Sequence, residues 1–470
     1  MSSVLAVCDA AVARSTPHGA AIPRCHLALT ATIATSALVF VDGAAISIAL
    51  PSIGTSLELD ASGLQWVLNA YLLPLAAFSL LGGAVADRFG RQRALAGGTA
   101  IFLVASLLCG LAHGLAMLVA ARLLQGIGAA ILMPSSLALL GQLFSGEKKG
   151  VAIGLWSAMA AVASAIAPAL AGWLLDLGSW REVFFLNVPL AAAALWLTIA
   201  YVPDDVPAVG KKLDLMGGAL AAAALACLIW ALTEGGKGER TQVLGAAVAG
   251  VILAAVFVEL EGRRRNRAML PLGLMGSTAF VGITLFTMFL YTALSAILIL
   301  MPFVLIRAAG YSSLEAGVIF VPLQIVMTII SPLVGGVVSK VKARVPLIVG
   351  SLLIAAGFGL AVRVDVGSSY WASVFPAVLL VALGFAAAAA PLTTLVLTSV
   401  DELHSGAASG VNSAVTRLAG LVAATLIGSV LSRQGASLLE AFRVAMAVGA
   451  IACIGAAASA LLIDHDRSKA

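Results

Sequence analysis

Charged residues are scarce in this sequence. Only 10% of the 470 residues are Asp, Glu, Lys or Arg, whereas soluble domains contain about 25%. Hydrophobic residues make up 61% of the chain, and the mean hydropathy is +1.08. This composition excludes a water-soluble protein of this size. The net charge of +5 does not indicate a nucleic-acid partner, because most basic residues fall in short segments between apolar runs.

Cysteine is also rare, with five residues in the whole chain. They form no C-x-x-C pair and show no metal-ligand spacing, so neither a disulfide framework nor a metal site is predicted. We interpret them as small apolar side chains within the hydrophobic runs. The five positions are Cys8, Cys25, Cys109, Cys227 and Cys453.

Long apolar runs divide nearly the whole chain. A helix needs about 20 apolar residues to cross the hydrocarbon core of a bilayer, and fourteen segments meet or nearly meet that length. The sequence therefore predicts an all-α integral membrane protein. In chain order the predicted spans are 27–50, 62–86, 94–112, 115–140, 150–175, 183–202, 213–233, 242–258, 277–301, 313–338, 345–362, 370–398, 406–431 and 440–463.

Basic residues fall unequally on the two sides of such a bundle. With the loop around Arg88 inside, eighteen of the 27 Lys and Arg residues lie on that face and seven on the opposite face. Arg122 and Arg417 remain within spans. Because cytoplasmic loops are enriched in Lys and Arg, we expect the Arg88 face to be cytoplasmic. The even number of spans then places both termini in the cytoplasm, beneath a plasma (inner) membrane.

The segment 82–93, GGAVADRFGRQR, joins the second and third predicted spans. Its charges must lie at a membrane surface, because charges within hydrocarbon cost several kcal/mol each. Gly90 permits a tight turn. The segment resembles the signature loop of the major facilitator superfamily of transporters, which implies a gating role, although it could also be a positive-inside loop of another membrane protein. The matching positions are Gly83, Val85, Asp87, Arg88, Gly90, Arg91 and Arg93.

The resemblance implies a major facilitator fold with 14 transmembrane helices in a 6+2+6 arrangement, because superfamily members contain two related six-helix halves. A faint copy of the signature loop lies at 335–344, with the sequence GGVVSKVKAR. The expected units are a mobile cytoplasmic tail (1–25), an N-terminal six-helix half (26–203), two additional central helices with flanking linkers (204–268), and a C-terminal six-helix half with a short cytoplasmic tail (269–470).

Two opposite charges are predicted inside the first half. Asp42 lies about 13 Å below the outer end of the first span, and Arg122 lies about 10 Å below the outer end of the fourth. Ionisable residues at such depth are functional candidates by default. The similar depths permit an ion pair, which either takes part in transport or only fixes two helices.

Both stretches resemble motifs of the fourteen-helix drug/proton antiporter group, the multidrug efflux type. The Asp42 stretch resembles D-x-T-I-V-N-x-A-L-P, with Ala44 and Ser47 in place of threonine and asparagine. The resemblance implies that Arg122 helps control protonation of an acid in the same half, and Asp42 is the buried acid available there. The fourth-helix motif R-x-x-Q-G-x-G-A-A is matched at Arg122, Gln125, Gly126, Gly128, Ala129 and Ala130.

The fifth predicted span departs from the antiporter motif G-x-x-x-G-P-x-x-G-G. Pro168 and Gly172 match it, whereas Ala163, Ala167 and Ala171 stand where glycines are usual. Small residues at four-residue spacing still allow close helix packing. The departure weakens the expectation of proton antiport without affecting the predicted fold.

Other polar residues within the predicted spans are candidates for the wall of a substrate cavity. Arg417 has no acid in the spans of its own half, so it donates either to backbone carbonyls or to a substrate. The uncharged candidates bond one helix to another more often than they bind a ligand. The candidates are Asn69, Tyr71, Gln324, Asn412 and Arg417.

The sequence thus predicts a monomeric transporter that exports small lipophilic or monocationic compounds by proton antiport and alternating access. Its expected partners are a small-molecule substrate, protons and the lipid bilayer, with no nucleic acid, and the proton gradient is its energy source with no cofactor. An importer or a metabolite exporter on the same fold is the alternative that the fifth span leaves open. A membrane enzyme or sensor is disfavoured, because the sequence offers no metal cluster, nucleophile arrangement or sizeable soluble domain.

Overall fold

Helices make up the described part of the computed structural model, which comprises residues 25–144, 146–204, 215–234, 239–264, 276–337, 344–365, 369–399 and 405–463. The predicted tail before Cys25 and most of the second copy of the signature loop lie outside these residues. A π-helical turn (Tyr370–Val374) precedes α13, and a 3-10 turn (Ala460–Leu462) follows α16. The α-helices are α1 (Cys25–Ser56), α2 (Ala61–Phe89), α3 (Arg91–Gly110), α4 (Leu115–Leu143), α5 (Gly146–Leu177), α6 (Arg181–Tyr201), α7 (Leu215–Glu234), α8 (Arg240–Arg264), α9 (Thr278–Arg307), α10 (Ser313–Val318), α11 (Val321–Val337), α12 (Arg344–Ala361), α13 (Phe375–Thr398), α14 (Ser405–Leu426), α15 (Gly428–Leu431) and α16 (Gly435–Ser459).

Several helices are longer than the apolar runs that predicted them. α1 continues through Pro51 to Ser56, and α9 continues to Arg307. A helix satisfies its backbone hydrogen bonds internally, so it continues beyond the hydrocarbon into the polar interface. Hydropathy alone therefore places the ends of these spans too early.

The predicted span 313–338 is two helices rather than one. α10 begins with a capping box, in which Ser312 and Glu315 satisfy each other's backbone N–H groups, and it ends at Val318. Pro322 lies at the start of α11. Because proline has no N–H, it cannot donate the helical hydrogen bond back to the Val318 carbonyl. The predicted span 406–431 is likewise divided, into α14 and α15.

Twelve helices in the described part of the chain are long and apolar enough to cross a bilayer. α2 is not among them, although it has 29 residues. α14 has 22 residues, of which Val411–Leu426 form a shorter apolar helix. The structure thus supports a multi-pass helical bundle. The count of fourteen spans remains a prediction.

The helices of each half pack mainly with one another. In the first half α4 packs between α2 and α3, and α1 lies against α5 and α6. In the second half α9 packs against α14 and α16, and α12 lies against α13. α7 and α8 pack as a pair, with α7 also touching α2 and α14. Large apolar side chains of α8, including Leu244 and Val251, are exposed, as expected for a lipid-facing helix.

Among the described residues, the large apolar core shared by the two halves lies toward the α1–α2 end, where α1 finishes and α2 begins. Buried residues from this end of the first half, among them Leu50 and Val67, belong to the same cluster as the core of α9–α16. Buried residues nearer the opposite end of the first half, among them Leu38, Leu95 and Leu140, form a second cluster. The described halves therefore close on each other at the α1–α2 end.

Two glycines allow α5 and α10 to approach closely at this end. Gly172 faces the backbone of Ser313, and Gly317 faces the backbone of Pro168. A Cβ atom on either glycine would overlap the facing backbone. Small residues at helix interfaces permit such approach. Pro168 and Gly172, the two residues that match the fifth-helix motif, thus lie at the seam between the halves.

A carboxylate reinforces the same seam. Asp176 lies one helical turn beyond Gly172 on α5. Its carboxylate accepts hydrogen bonds from the backbone N–H groups of Ser313 (3.2 Å) and Leu314 (3.1 Å) at the start of α10. The first half therefore supplies the acceptor for N–H groups that have no helical partner in the second half.

We expect Gly172→Leu to open the α1–α2 end, because the added side chain cannot fit against the Ser313 backbone. Spin labels at Glu58 and Ser437, one in each half, should report a longer distance in this variant by pulsed electron paramagnetic resonance.

Gly154→Leu is the matched control, because Gly154 is also on α5 and a Cβ there meets no atom within 4 Å. An unchanged label distance in Gly172→Leu, or an equal change in both variants, would contradict this interpretation of the seam.

Candidate functional site

Asp42 and Arg122 form an ion pair in the interior of the first half. Asp42 is on α1 and Arg122 is on α4, and Nη1 of Arg122 lies 2.6 Å from Oδ2 of Asp42. The Asp42 side chain is 2% exposed and that of Arg122 is fully buried. The predicted contact between these residues is therefore present. Its role in proton coupling is not tested by this geometry.

Neutral donors complete the environment of the carboxylate. Oδ1 of Asp42 accepts from Nε2 of Gln125 (3.0 Å) and from Nδ2 of Asn187 (3.1 Å). Nε2 of Gln125 also donates to the Ser106 hydroxyl at 2.9 Å. The carboxylate is thus held by groups from α4 and α6, in addition to the guanidinium. Hydrogen bonds to an ionised acceptor are among the stronger ones in proteins.

Arg122 has further partners of its own. Nη1 donates to Oε1 of Gln125 at 2.7 Å, and Nε donates to the Val67 carbonyl of α2 at 3.3 Å. The guanidinium carbon lies 4.3 Å from the centre of the Tyr71 ring and 5.8 Å from that of Phe184. Both distances allow cation–π attraction. Arg122 therefore joins α1, α2 and α4 in one polar cluster.

Glycines of the fourth-helix motif bring the neighbouring backbones close to Arg122. A Cβ on Gly126 would overlap the backbone carbonyl of Tyr71 on α2. A Cβ on Gly128 would lie 2.9 Å from the carbonyl of Gly98 on α3. The motif therefore packs α4 tightly between α2 and α3. The polar side chains Arg122 and Gln125 of the same motif point toward α1.

The signature loop is shorter than predicted. Gly90, with φ of 94°, is the one residue between α2 and α3, and this left-handed conformation favours glycine. Arg88 therefore lies in the last turn of α2 rather than in a loop. Arg91 donates to Gln142 at 2.7 Å, and Arg93 pairs with Asp204 at 2.8 Å.

Two other members of the predicted loop motif add little to its geometry. Gly83 is helical, and a Cβ atom added there would meet Pro134 of α4 only at an ordinary contact distance. The Asp87 side chain lies outside the described residues, so its predicted gating contact remains untested.

The candidate cavity residues are spread over α2, α11 and α14. Nδ2 of Asn69 on α2 donates to the Thr425 hydroxyl at 3.2 Å, and Oδ1 of Asn412 accepts from Thr287 on α9 at 2.8 Å. The Tyr71 ring lies against Arg122, and Arg417 is half-buried on α14. Gln324 is half-buried on α11, and its backbone carbonyl accepts from Thr328.

Asn187 is the residue of the polar cluster that the sequence did not assign to Asp42. Asn187 lies on α6 and was not among the predicted site residues. Its burial follows from the close packing of α6 against α1 and α3. Ser106 was missed as well, because a serine within an apolar run gives no signal of its hydrogen-bond partner.

These features define a multi-pass α-helical membrane protein with an ionisable site in its membrane interior, which is the arrangement of secondary transporters. The family model described as Major Facilitator Superfamily matches residues 32–424, and the chain belongs to that superfamily. It is a transporter, not an enzyme.

Several similar proteins are resistance proteins. The chain is 33% identical over 409 residues to the multidrug resistance protein Stp of Mycobacterium tuberculosis, covering 86% of this chain and 75% of that protein. It is 31% identical over 395 residues to the methylenomycin A resistance protein of Bacillus subtilis, covering 83% and 84%. It is 30% identical over 441 residues to the lincomycin resistance protein of Streptomyces lincolnensis, covering 92% and 90%.

Solved structures share the fold at low sequence identity. A crystal structure of a peptide transporter of the POT family in complex with sulfate aligns with a TM-score of 0.71 and 15% identity. The alignment covers 97% of this chain and 98% of that one. The similarity extends over nearly the whole chain, including the central helices.

We expect Arg122→Leu to lower the free energy of unfolding by about 3–5 kcal/mol, because removing one partner leaves the buried Asp42 charge uncompensated. The double variant Asp42→Asn/Arg122→Leu should recover part of that loss. The free energy of unfolding is measured for Asp42→Asn, Arg122→Leu and the double variant, each purified in mixed micelles. A double variant destabilised by the sum of the two single effects would show that the pair is not coupled.

Proposed function

We propose that this transporter exports small lipophilic or monocationic compounds in exchange for protons, and that Asp42 takes up and releases the proton. One observation carries the proposal. The Asp42 carboxylate is buried in the membrane interior against three donors, Arg122, Gln125 and Asn187. Ionisable residues in such positions mark ion and proton pathways. The resistance functions of the relatives support export as the direction of transport.

Protonation of Asp42 removes the charge that holds Arg122. The guanidinium then has a second neighbour ready, because it already lies over the Tyr71 ring. In the described structure Nη2 of Arg122 and Oδ1 of Asn187 have no hydrogen-bond partner. These atoms can take new partners when the proton moves to the carboxylate. In this mechanism, protonation of Asp42 is therefore coupled to rearrangement of the cluster.

Alternating access requires the two halves to open at opposite ends in turn. The distribution of basic residues makes the α1–α2 end the outer end, so closure at that end corresponds to an inward-facing state. A substrate would bind between the halves near the middle of the bilayer. At the other end we propose that Asp87 meets the start of α12 when the inner side closes. The single-residue turn at Gly90 supports this by fixing the end of α2.

The proposed topology has fourteen spans in a plasma membrane, with both termini cytoplasmic and a monomeric protein. α2 and α14 supply the two spans beyond the twelve described above, since each exceeds the length needed to cross the hydrocarbon. α2 packs closely against α4, and α14 packs against α9. Both packings are those of spanning helices inside a bundle.

The proton gradient is the proposed energy source, with no cofactor. One proton releases about 2.3 kcal/mol per 100 mV and about 1.4 kcal/mol per pH unit. With one buried acid the expected stoichiometry is about one proton per cycle. The limiting gradient of an uncharged substrate under both forces is then on the order of a few hundred-fold.

Import or metabolite export on the same fold is the second candidate. The observation that favours it is the fifth-helix motif, where Ala167 and Ala171 replace glycines and are buried at the seam with the second half. Import coupled to protons would require the opposite orientation of the pH difference to drive accumulation, and metabolite export would differ from drug export in the compounds that accumulate.

We expect Asp42→Asn to abolish substrate accumulation driven by a pH difference in proteoliposomes, because the amide cannot carry the proton. Substrates are first found as compounds whose toxicity falls when the protein is overexpressed in a drug-sensitive host. Asp365→Asn is the matched control, since Asp365 is an exposed acid paired with Arg443. Accumulation by Asp42→Asn equal to that of the wild type would place the coupling site elsewhere.

We also expect reporters fused after Arg267 and after Lys469 to report the cytoplasm, and one fused at Gly236 to report the outside. Alkaline phosphatase and green fluorescent protein fusions measure the two sides. A cytoplasmic signal at Gly236 would eliminate α7 and α8 as two separate spans and with them the fourteen-helix topology.

A further inference from the structure

A cavity lies between the two halves at the α1–α2 end. Its volume is about 570 Å³. The last turns of α1 form the wall from the first half, and the end of α9 and the beginnings of α10 and α16 form the other walls. α1 packs against α9 and α10 at this end. The cavity therefore has walls from both halves, and separation of the halves at this end would take those walls apart.

Two arginines line this cavity, which we call the arginine cavity. Arg307 is the last residue of α9, and Arg433 lies between α15 and α16. Neither guanidinium has a hydrogen bond or an ion pair among the described residues, whereas Arg443 of α16 pairs with Asp365. No acidic residue is among the described residues that line the cavity. A cleft lined by charge of one sign attracts counter-ions, so the cavity favours an anion.

The acid that approaches the arginine cavity is already occupied. Asp176 meets the cavity wall at Ser313, and its two carboxylate oxygens accept the backbone N–H groups of Ser313 and Leu314 at 3.2 Å and 3.1 Å. It forms no ion pair with either arginine of the cavity. The positive charges of the cavity are therefore not neutralised by this carboxylate.

Neutral donors complete the lining. The Ser52 hydroxyl of α1 and the Gln434 amide both line the cavity, and neither side chain has a hydrogen bond among the described residues. The Thr55 hydroxyl, in contrast, already donates to backbone carbonyls of α1. Ser52 belongs to the first half and Gln434 to the second. The cavity thus offers free donors from both halves to one bound group.

The number of donors and the size of the cavity indicate the chemical class of the ligand. A carboxylate has two oxygens, whereas a phosphate ester has three that can accept from two guanidinium groups and further donors. Arginine suits phosphate because its parallel N–H groups match the phosphate oxygens. Small-molecule sites occupy about 300–1,000 Å³, so the cavity has room for a phosphate and an organic group attached to it.

We infer that the arginine cavity binds an anionic phosphate ester between Arg307 and Arg433, and that the bound anion stabilises closure of the α1–α2 end. A ligand that contacts Ser52 of the first half and the arginines of the second binds best while the halves are together, so it favours that state. Two sources carry this chemistry at a membrane surface, the headgroup of an anionic lipid and a water-soluble phosphate ester. The inference goes beyond the proposed exchange of substrate for protons and does not depend on Asp42.

Binding of glycerol phosphate tests the water-soluble source. It is measured by equilibrium dialysis against the protein in phosphatidylcholine nanodiscs, with glycerol as the uncharged analogue and empty nanodiscs as the background. The wild type should bind one glycerol phosphate per protein and no glycerol. Arg307→Gln and Arg433→Gln should each weaken binding at least about ten-fold, because each removes a charge-assisted contact. Arg433→Lys, which keeps the charge, should bind more tightly than Arg433→Gln.

Retention of phosphatidylglycerol tests the lipid source. Native mass spectrometry counts the lipids that remain on the protein after release from bilayers that contain phosphatidylglycerol. The double variant Arg307→Gln/Arg433→Gln should retain one molecule fewer than the wild type. Arg363→Gln is the matched control for both measurements, because Arg363 is an exposed arginine just after α12 that does not line the cavity. It changes the net charge equally and should behave as the wild type does.

Closure is measured separately by pulsed electron paramagnetic resonance. Spin labels at His113 and Ser369, one in each half, are exposed and lie outside the cavity. Saturating glycerol phosphate, or phosphatidylglycerol in place of phosphatidylcholine, should shift the label distances of the wild type toward shorter values. The same addition to the double variant should leave the distances unchanged.

Saturable binding of glycerol phosphate or arginine-dependent retention of phosphatidylglycerol would support the inference and identify the source. Absence of both would overturn it, as would an equal loss of binding in Arg363→Gln, which would show an effect of net charge alone. A bound anion that leaves the label distances of the wild type unchanged would overturn the role in closure. None of these measurements uses a pH gradient, so their outcome is independent of the coupling test on Asp42.

Discussion

The ion pair between Asp42 and Arg122 is the interaction on which the interior of the first half depends. Neither charge is stable alone in a membrane interior, so each needs the other and the donors around it. Those donors come from different helices: Gln125 from α4, Asn187 from α6 and the Val67 carbonyl from α2 on the side of the arginine. One compensated charge pair thus specifies how α1, α2, α4 and α6 are rotated toward one another. A change in the charge of Asp42 acts on all of them at once.

The glycine contacts determine how closely the two halves approach each other at one end. At the α1–α2 end Gly172 and Gly317 allow α5 and α10 to meet backbone to backbone, and Asp176 accepts from the start of α10. These contacts are small in area and polar in part. The apolar core that the two halves share at this end would have to part together with these contacts when the outer side opens.

Sequence reasoning succeeded where a single helix carried the information. The depth of Asp42 and Arg122 follows from counting residues along α1 and α4, and the superfamily follows from the 82–93 segment together with the fourth-helix motif. It failed where the answer depended on how helices face one another. The approach of Asn187 to Asp42 requires the rotation of α6, which apolar composition on all sides of that helix does not reveal.

Boundaries were predicted less well for a related reason. A helix continues past the hydrocarbon, so the charge of Arg88 marks the membrane surface but not the end of α2, which Gly90 determines. The break between α10 and α11 had a signal in Pro322, but hydropathy does not respond to a missing N–H. The partners of the 338–343 segment and of the Asp87 side chain lie outside the described residues, so these predictions stay open to experiment.

The central claim is that substrate and proton compete through Asp42. Proton release on substrate binding tests it most directly, measured with a pH indicator in weakly buffered detergent solution at a pH where Asp42 is partly protonated. Addition of an uncharged compound that the protein exports should release protons from the wild-type protein, up to about one per molecule bound, and addition to Asp42→Asn should release none while the compound still binds. Binding without proton release in the wild type, or equal release by both proteins, would contradict the account.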